Sequence, residues 1–264
     1  MVKTEHYAEF DLIAPVYDAT RRSPSVEELG GVMMALKGSK TVLEAGVGTG
    51  RYSVPLKKEG FEMTGIDISV EMMRLARSKG LERLILADLH RMPFEDSAFD
   101  SSLIIHVLQL IPDPALALRE LARVSSDRVV AVLPEHGRLH GRSNRESFRR
   151  RYSEIAAELG YDIKPRVRFW ENTEKVLELA PPDEMSFVEE PVDEREFRER
   201  WGTESRTFGG LITIPPEVHE KILKRLRKER GIESPPSRPH VRKMRIAVWN
   251  SAGLRSALEK GRAP

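Results

Sequence analysis

The sequence contains no cysteine, one glutamine and three asparagines among its 264 residues. The absence of cysteine excludes disulfide bonds, thiolate zinc sites, iron–sulfur clusters and every mechanism that needs a cysteine nucleophile. Scarce amide side chains together with 32% charged residues are typical of proteins depleted in thermolabile groups and rich in ion pairs. This composition favours a heat-adapted host.

The sequence also lacks an apolar run of the roughly 20 residues that a membrane-spanning helix requires. Its longest apolar stretches, residues 103–111 and 129–133, are short, and the first is interrupted by His106 and Gln109. Residues 1–10 mix charged and apolar side chains and offer no apolar core for a secretory signal. We therefore expect a cytoplasmic protein without a membrane span.

The net charge of +2 conceals an asymmetry between the two halves of the chain. Residues 1–134 carry 16 basic and 19 acidic groups, whereas residues 135–264 carry 27 and 22. We therefore expect an anionic partner to bind residues 135–264.

Short apolar runs alternate with amphipathic stretches of helix length from Thr41 to about Pro134. This alternation predicts parallel strands joined by crossover helices, and therefore an open α/β sheet. The predicted strands are Thr41 to Ala45, Glu62 to Ile66, Leu84 to Ala87, Ser101 to Ile105 and Arg128 to Leu133, and the predicted helices are Ser53 to Glu59, Ser69 to Lys79 and Pro114 to Val124.

The pattern changes after Glu135, where polar helices predominate. Helices are predicted for Arg142 to Leu159 and Glu217 to Gly231, and strands for Met185 to Val192 and Lys243 to Trp249. The sequence thus predicts a nucleotide-binding sheet with a helical cap.

A glycine-rich turn, Gly46-Val47-Gly48-Thr49-Gly50, follows the first strand directly and precedes a helix. Glycine permits the tight turn and a close approach of a ligand to the backbone. The dinucleotide fingerprint requires a third glycine where this chain has Arg51, and the Lys-Ser/Thr pair of a Walker loop is absent. A ligand without a phosphate group fits this loop better.

Acidic residues follow the second and third predicted strands, Asp67 and Asp88 respectively. A carboxylate at the end of the second strand can accept hydrogen bonds from both ribose hydroxyls of an adenosine. Because open α/β sheets bind ligands at the carboxyl ends of their strands, both acids are predicted to lie in the binding site.

These motifs together resemble the class I S-adenosylmethionine-dependent methyltransferases, specifically the branch of the ubiquinone and menaquinone biosynthesis methyltransferases. The resemblance covers Phe10 to about Pro134, and beyond Glu135 only the architecture is similar. The residues that carry it are Phe10-Asp11-Leu12-Ile13-Ala14-Pro15-Val16-Tyr17-Asp18, the glycine loop with Glu44, Asp67, Ala87-Asp88-Leu89, Pro93-Phe94 and Phe99-Asp100.

The resemblance implies a Rossmann-like, seven-stranded, mostly parallel sheet with helices on both faces and an inserted helical cap. Its seventh, antiparallel strand would be Lys243 to Trp249. The methyltransferase core would comprise residues 1–137 and 241–264 with a strand near 185–192, and residues 138–184 and 193–240 would form the substrate-covering insertions.

The resemblance also implies a role for each residue near S-adenosylmethionine. Gly46, Gly48 and Gly50 would pass under its methionine part, with Glu44 supporting the site. Asp67 would hold the ribose, Ile68 and Met72 would flank the adenine, and Asp88 with Leu89 would read its amino edge. Tyr17 and Arg21 match a leading segment that closes over the cofactor's carboxylate, and His106 lies at the same edge of the sheet.

No catalytic residue follows from the sequence, because methyl transfer needs a base only when the acceptor must lose a proton. His106, Glu135 and His136 are candidates by position, although each is also compatible with a structural role. Tyr17 could likewise serve only to pack the leading helix. No metal site is predicted.

Three functions remain open. The favoured one is methylation of a small molecule. The second is methylation of tRNA, because Ile13-Ala14-Pro15-x-Tyr17-x-x-Thr20-Arg21 is also similar to the wobble-uridine carboxymethyl methyltransferases and the second half is basic. The third is a non-enzymatic protein that binds S-adenosylmethionine.

Overall fold

The computed structural model describes residues 8–21, 23–134, 144–161, 170–192, 214–230 and 240–260. Seven strands within them form a sheet in the order β3-β2-β1-β4-β5-β7-β6. The first five strands are parallel, and β7 runs antiparallel to both β5 and β6. The strands are β1 Thr41–Ala45, β2 Glu62–Asp67, β3 Leu84–Leu86, β4 Phe99–Ile105, β5 Ser125–Pro134, β6 Glu184–Val192 and β7 His240–Asn250.

The helices of the described residues lie before, between and after these strands. They are α1 Ala8–Thr20, α2 Val26–Ala35, α3 Ser53–Lys58, α4 Val70–Ser78, α5 Pro114–Val124, α6 Asn144–Glu158, α7 Trp170–Leu179, α8 Pro216–Arg230 and α9 Ser251–Lys260. A short 3₁₀ helix, Leu108–Leu110, follows β4.

Side chains of the preceding residues fix where several helices begin. Ser25 and Glu28 form a capping box at the start of α2, and the Ser69 hydroxyl accepts the Met72 N–H at 3.1 Å at the start of α4. Asp113 caps α5 by accepting the Leu116 N–H at 2.9 Å, and Pro114 follows it. These caps satisfy N–H groups that have no partner within the helix itself.

Two hydrophobic layers cover opposite faces of the sheet, because successive side chains of a strand alternate between its faces. On β5, Val129, Ala131 and Leu133 pack in the layer formed by α5, α7 and α9. The intervening residues Val130 and Val132 pack in the layer formed by α2, α3 and α4. The predicted fold, a mostly parallel seven-stranded sheet with helices on both faces, is confirmed.

The predicted strands are all present, with end points that differ by a few residues, and the antiparallel strand near the carboxyl terminus pairs with β5 as expected. The hydrophobic pattern did not predict α2, α7 and α9. Residues 138–184 were expected in the cap, but Val176, Leu177 and Ala180 are buried in the same cluster as β5. This part of the range therefore packs with the core, while the division into core and cap otherwise stays a prediction.

Helices α6 and α8 pack on each other around a hydrophobic cluster of their own. Tyr152 and Ile155 of α6 are buried in this cluster together with Ile222 and Leu226 of α8. The Tyr152 hydroxyl also forms a buried hydrogen bond of 2.7 Å with Nδ1 of His219. We call these two helices the α6–α8 pair.

Candidate active site

The glycine loop between β1 and α3 turns with positive φ at three positions. Gly46, Gly48 and Gly50 have φ angles of 72°, 55° and 75°, in the left-handed region that strongly favours glycine. The N–H groups of Gly46 and Val47 both donate to the Ile66 carbonyl at 2.9 Å, which ties the loop to the end of β2. In the sheet, β1 lies between β2 and β4, so the strand order changes direction at β1. The loop that follows β1 lies at this switch point, where such sheets usually bind their ligands.

The three glycines serve different purposes in this loop. A Cβ on Gly46 would lie 2.6 Å from Cγ2 of Val107, and one on Gly50 would lie 3.0 Å from Val54 and 3.3 Å from Ala76. A Cβ on Gly48 would meet no described atom within 4 Å. Gly46 and Gly50 thus permit close packing of neighbouring segments, whereas Gly48 faces open space in the cleft.

Asp67 connects the end of β2 to the glycine loop. Its Oδ2 accepts the Gly48 N–H at 2.7 Å, and its Oδ1 accepts the Ser69 N–H at 2.9 Å. Burial raises the pKa of this carboxyl above its usual value, and the backbone hydrogen bonds oppose that rise. Asp67 therefore holds the loop in place and also lines the cleft.

Glu44 is almost completely buried at the base of the cleft, with an exposed fraction of 3%. It accepts a hydrogen bond from the hydroxyl of Ser53, the first residue of α3. Burial raises its pKa to about 7, against the opposing effects of the Ser53 hydrogen bond and the Arg51 charge. A carboxyl group with this pKa is partly protonated at neutral pH.

The end of β3 brings Asp88 to the cleft. The Ala87 N–H donates to the Asp67 carbonyl at 3.0 Å, so the two acids are connected through the backbone. Oδ1 of Asp88 contacts Nδ1 of His90 at 2.8 Å and accepts the His90 N–H at 2.9 Å. The sequence reasoning missed His90, although its position two residues after Asp88 is the spacing at which an acid can accept a following N–H.

Helix α1 closes one side of the cleft with Phe10 and Tyr17. Asp11 accepts the Ser69 hydroxyl at 2.5 Å and the Glu71 N–H at 3.2 Å, at the amino end of α4. Asp18 accepts the Thr49 hydroxyl at 2.6 Å and pairs with Lys79 at 2.5 Å. The seven-residue spacing of the two acids places them on one helix face, a signal that the sequence reasoning did not use.

His106 is the first residue after β4 and adopts a φ of 56°, an uncommon conformation for a residue other than glycine. Its N–H donates to the Val132 carbonyl at 2.9 Å, which continues the pairing of β4 with β5. The residue lines the cleft. The other two candidate bases, Glu135 and His136, lie outside the described residues.

Ten of the twelve predicted cofactor residues line the cleft. The two others lie elsewhere: Gly50 packs on Val54 and Ala76, and the Arg21 guanidinium lies 5.2 Å from the Tyr17 ring centroid. The lining set comprises Tyr17, Glu44, Gly46, Gly48, Asp67, Ile68, Met72, Asp88, Leu89 and His106. The sequence reasoning did not assign Thr49, Arg51, Tyr52, Val107, Leu110 and Ile111, which line it as well.

Residues 43–132 match a family described as a methyltransferase domain. The chain is 37% identical over 102 residues to phosphatidylethanolamine N-methyltransferase from Cereibacter sphaeroides, covering 36% of this chain and 50% of that protein. It is 29% identical over 140 residues to demethylmenaquinone methyltransferase from Renibacterium salmoninarum, covering 48% and 57%. The chain thus spans about half the length of the curated relatives it matches.

Among solved structures, a Thermotoga maritima protein described as a SAM-dependent methyltransferase, possibly a histamine N-methyltransferase, shares the fold. It superposes with a TM-score of 0.54 at 18% identity, covering 93% of this chain and 99% of that one. Residues 43–132 of this chain are thus similar in sequence to a methyltransferase domain. This match and the relatives bear out the predicted resemblance to the S-adenosylmethionine-dependent methyltransferases over this part of the chain, with S-adenosylmethionine as the predicted cofactor.

Outside residues 43–132, ion pairs join the two helices of the α6–α8 pair. Arg151 of α6 bonds to Glu154 and to Glu229 of α8, both at distances below 3 Å. Arg225 of α8 bonds to Glu229 at 3.0 Å and to Glu158 of α6 at 2.6 Å. These bonds lower the pKa of Glu229 to about 2, because two guanidinium groups stabilise its charged form.

No described helix is both long and apolar enough to span a membrane. No group of three or more His, Asp or Glu side chains in the part of the chain that the structure describes could hold a metal ion.

Proposed function

We propose that this protein is an S-adenosylmethionine-dependent methyltransferase that methylates a small molecule. The observation that carries the proposal is the meeting of three features in one cleft: open space at Gly48, the carboxylate of Asp67 and the carboxylate of Asp88. The cleft lies at the switch point of the sheet, where open α/β sheets bind ligands. The methyltransferase domain supports the same conclusion.

The residues of the cleft fit the two ends of the cofactor. Gly48 leaves room for the methionine part, and Glu44 at the base favours a cationic ligand whenever it is ionised. Asp67 offers carboxylate oxygens to the ribose hydroxyls, and Asp88 with Leu89 faces the adenine edge. Ile68 and Met72 provide apolar surface on which the adenine ring packs. Tyr17 of α1 acts at the carboxylate of the methionine, and Arg21, which does not line the cleft, lies beside the Tyr17 ring.

When bound, S-adenosylmethionine supplies a methyl group that its sulfonium has already activated. The protein must then hold the acceptor atom in line with it and exclude water, and this positioning accounts for most of the rate. Val107, Leu110 and Ile111 give the cleft an apolar wall beside His106. We therefore expect an acceptor with an apolar part, with His106, Glu135 and His136 as the candidate bases.

The curated relatives reported above are named for small-molecule acceptors, which supports this choice over tRNA. The charge of the α6–α8 pair supports it as well, because Arg151 and Arg225 already bond to glutamates. A basic surface whose charges are paired internally releases few counterions when it meets a phosphate backbone. Methylation of tRNA is therefore the second candidate, and a non-enzymatic cofactor-binding protein is the third.

Methyl transfer from labelled S-adenosylmethionine to fractions of a cell extract tests all three functions. We expect label in the small-molecule fraction, unchanged by prior RNase treatment and absent with the Asp67→Ala variant. Label in RNA that disappears after RNase treatment would favour the tRNA function instead. If the protein binds S-adenosylhomocysteine but labels no fraction, the non-enzymatic function is supported.

Binding of total tRNA in a filter assay provides a second test of the basic surface. We expect binding at physiological salt to be non-specific, with a Kd of about 10⁻⁴ to 10⁻⁶ M or weaker. Replacement of Lys224, Arg225, Arg227 and Lys228 by Ala should change it little. Submicromolar, salt-sensitive binding that this variant loses would overturn the small-molecule proposal.

A further inference from the structure

His90 makes two contacts to one carboxylate oxygen. Its backbone N–H donates to Oδ1 of Asp88 at 2.9 Å, and its ring Nδ1 lies 2.8 Å from the same atom. A carboxylate only accepts hydrogen bonds, so Nδ1 carries the proton in this contact. Both donors of His90 therefore act on Oδ1, and among the described residues none donates to Oδ2.

The surroundings of the imidazole ring indicate that its hydrogen bond through Nδ1, rather than one through Nε2, explains a histidine at this position. The His90 side chain is 8% exposed, whereas that of Asp88 is 35% exposed and lines the cleft. The other ring nitrogen, Nε2, is buried and has no hydrogen-bond partner among the residues the structure describes. An apolar side chain would fill this space without leaving a polar atom unpaired, so the benefit of histidine here comes from its bond to Asp88.

We propose that His90 is a positioning residue that fixes the orientation of Asp88 and thereby sets the preference of the cleft for an adenine base. With Oδ1 held by two donors, the carboxylate presents Oδ2 alone as the acceptor for a ligand. This inference rests on the proposed function, in which Asp88 faces the adenine edge. It adds a residue that does not itself line the cleft.

The chemistry of the purine edge makes this inference measurable. Adenine carries an amino group at C6, which donates a hydrogen bond, whereas hypoxanthine carries an oxygen there, which accepts one. A carboxylate oxygen fixed toward this position attracts the amino group and repels the oxygen. A carboxylate free to rotate can turn away from the oxygen, so it distinguishes the two bases less well.

The experiment compares the binding of S-adenosylhomocysteine and S-inosylhomocysteine by calorimetry. We expect the wild-type protein to prefer the adenine ligand by about 10- to 100-fold, the range for one hydrogen bond to a charged group. His90→Ala should weaken S-adenosylhomocysteine binding several-fold and reduce this ratio several-fold, because only the backbone N–H of residue 90 then holds Oδ1. A ratio that stays at the wild-type value in His90→Ala would overturn the inference.

Two conservative variants distinguish positioning from general support of the fold. The amide nitrogen of asparagine can take the place of Nδ1, whereas that of glutamine corresponds to Nε2. His90→Asn should therefore retain most of the preference, and His90→Gln should lose it even if both variants have the same melting temperature. Equal ratios in these two variants would contradict the inference.

A matched control comes from the α6–α8 pair. His219 is also buried and bonded through Nδ1, in this case to Tyr152, and it does not line the cleft. His219→Ala should lower the melting temperature without changing the preference between the two ligands. Failure of the wild-type protein to bind S-adenosylhomocysteine at all would refute the proposed function itself, an outcome distinct from an unchanged preference in His90→Ala.

Discussion

Asp18 of α1 accepts a hydrogen bond of 2.6 Å from the hydroxyl of Thr49 in the glycine loop. Lys79, the residue after α4, pairs with the other oxygen of Asp18 and also donates to the Thr49 carbonyl at 2.9 Å. Three segments that are distant in sequence thus converge on one carboxylate. Since Tyr17 is adjacent to Asp18 and lines the cleft, we expect this junction to restrain α1 beside the ligand.

We expect Asp18→Ala to release the cofactor product faster than wild type, because α1 then loses its bonds to Thr49 and Lys79. The dissociation rate of S-adenosylhomocysteine, measured by stopped flow, should rise about three- to tenfold, as expected for one or two polar bonds. Glu71→Ala is a suitable control, since it removes a surface ion pair with Arg74 on α4. Equal rates in all three proteins would show that α1 does not restrain the ligand.

Replacement of Asp67 by Ala should weaken S-adenosylmethionine binding by about 2 to 3 kcal/mol, the range for lost charged hydrogen bonds. Asp100 provides a matched control, because its carboxylate also accepts two backbone N–H groups, those of Lys40 and Thr41, at the opposite edge of the sheet. Asp100→Ala should reduce stability but leave the Kd unchanged. If calorimetry gives Asp67→Ala the wild-type affinity, the assignment of this residue to the ribose is wrong.

Gly48→Val should abolish cofactor binding and still give a folded protein, since a side chain at this position enters open space rather than packed atoms. The backbone penalty of a side chain at this φ is about 1 to 2 kcal/mol. Gly38→Val tests that penalty alone, at a positive φ of 91° with no described atom near its Cβ. Circular dichroism should show both variants folded, and an unfolded Gly48→Val would leave Gly48 with a structural role only.

The pKa of about 7 at Glu44 predicts a pH dependence of cofactor binding. A cationic ligand favours the ionised carboxylate, so binding at a pH below 7 must displace a proton. We expect the affinity for S-adenosylmethionine to rise by up to tenfold per pH unit between about pH 5.5 and 7 and to level off above. Glu44→Gln should abolish this slope. A wild-type slope that persists in this variant would assign the proton to another group.

The same carboxyl group predicts the opposite trend for stability. Its pKa in the folded protein is raised from 4.5 to about 7, so between these values the folded state holds a proton that the unfolded state has lost. The free energy of unfolding should therefore fall by about 3 kcal/mol as the pH rises through this window. Urea unfolding of wild type and Glu44→Gln at pH 5 and pH 8 isolates this contribution. If the difference between the proteins is the same at both pH values, the carboxyl does not titrate in this range.

The sheet and the strand-end acids could be predicted from the sequence because both depend on local patterns. Parallel strands buried on both faces form continuous apolar runs, and residues at their carboxyl ends must meet at one edge. Asp67 and Asp88 were found in this way, and both line the cleft. The glycine loop was found by its position between a strand and a helix.

Other features depend on contacts between distant segments, which no local pattern contains. Gly50 permits close packing of the glycine loop on Ala76, a residue of α4 that lies 26 positions further along the chain. The hydrophobic pattern did not predict helix α7, whose Val176 and Leu177 are buried against strands that lie far away in the sequence. Helix α2, in contrast, carried a readable capping box at Ser25 and Glu28 that the sequence reasoning overlooked.

Val192 at the end of β6 is paired in register with His240 at the start of β7. Residues 193–239 therefore leave and rejoin the sheet at adjacent positions, at the edge where β1 and β2 end beside the cleft. A segment that starts and ends at one hairpin position can be replaced by another of different length without altering the strand register on either side. We expect that residues 193–239, which are predicted to cover the acceptor, can be exchanged as a whole while the residues around Gly48 and Asp67 keep their geometry.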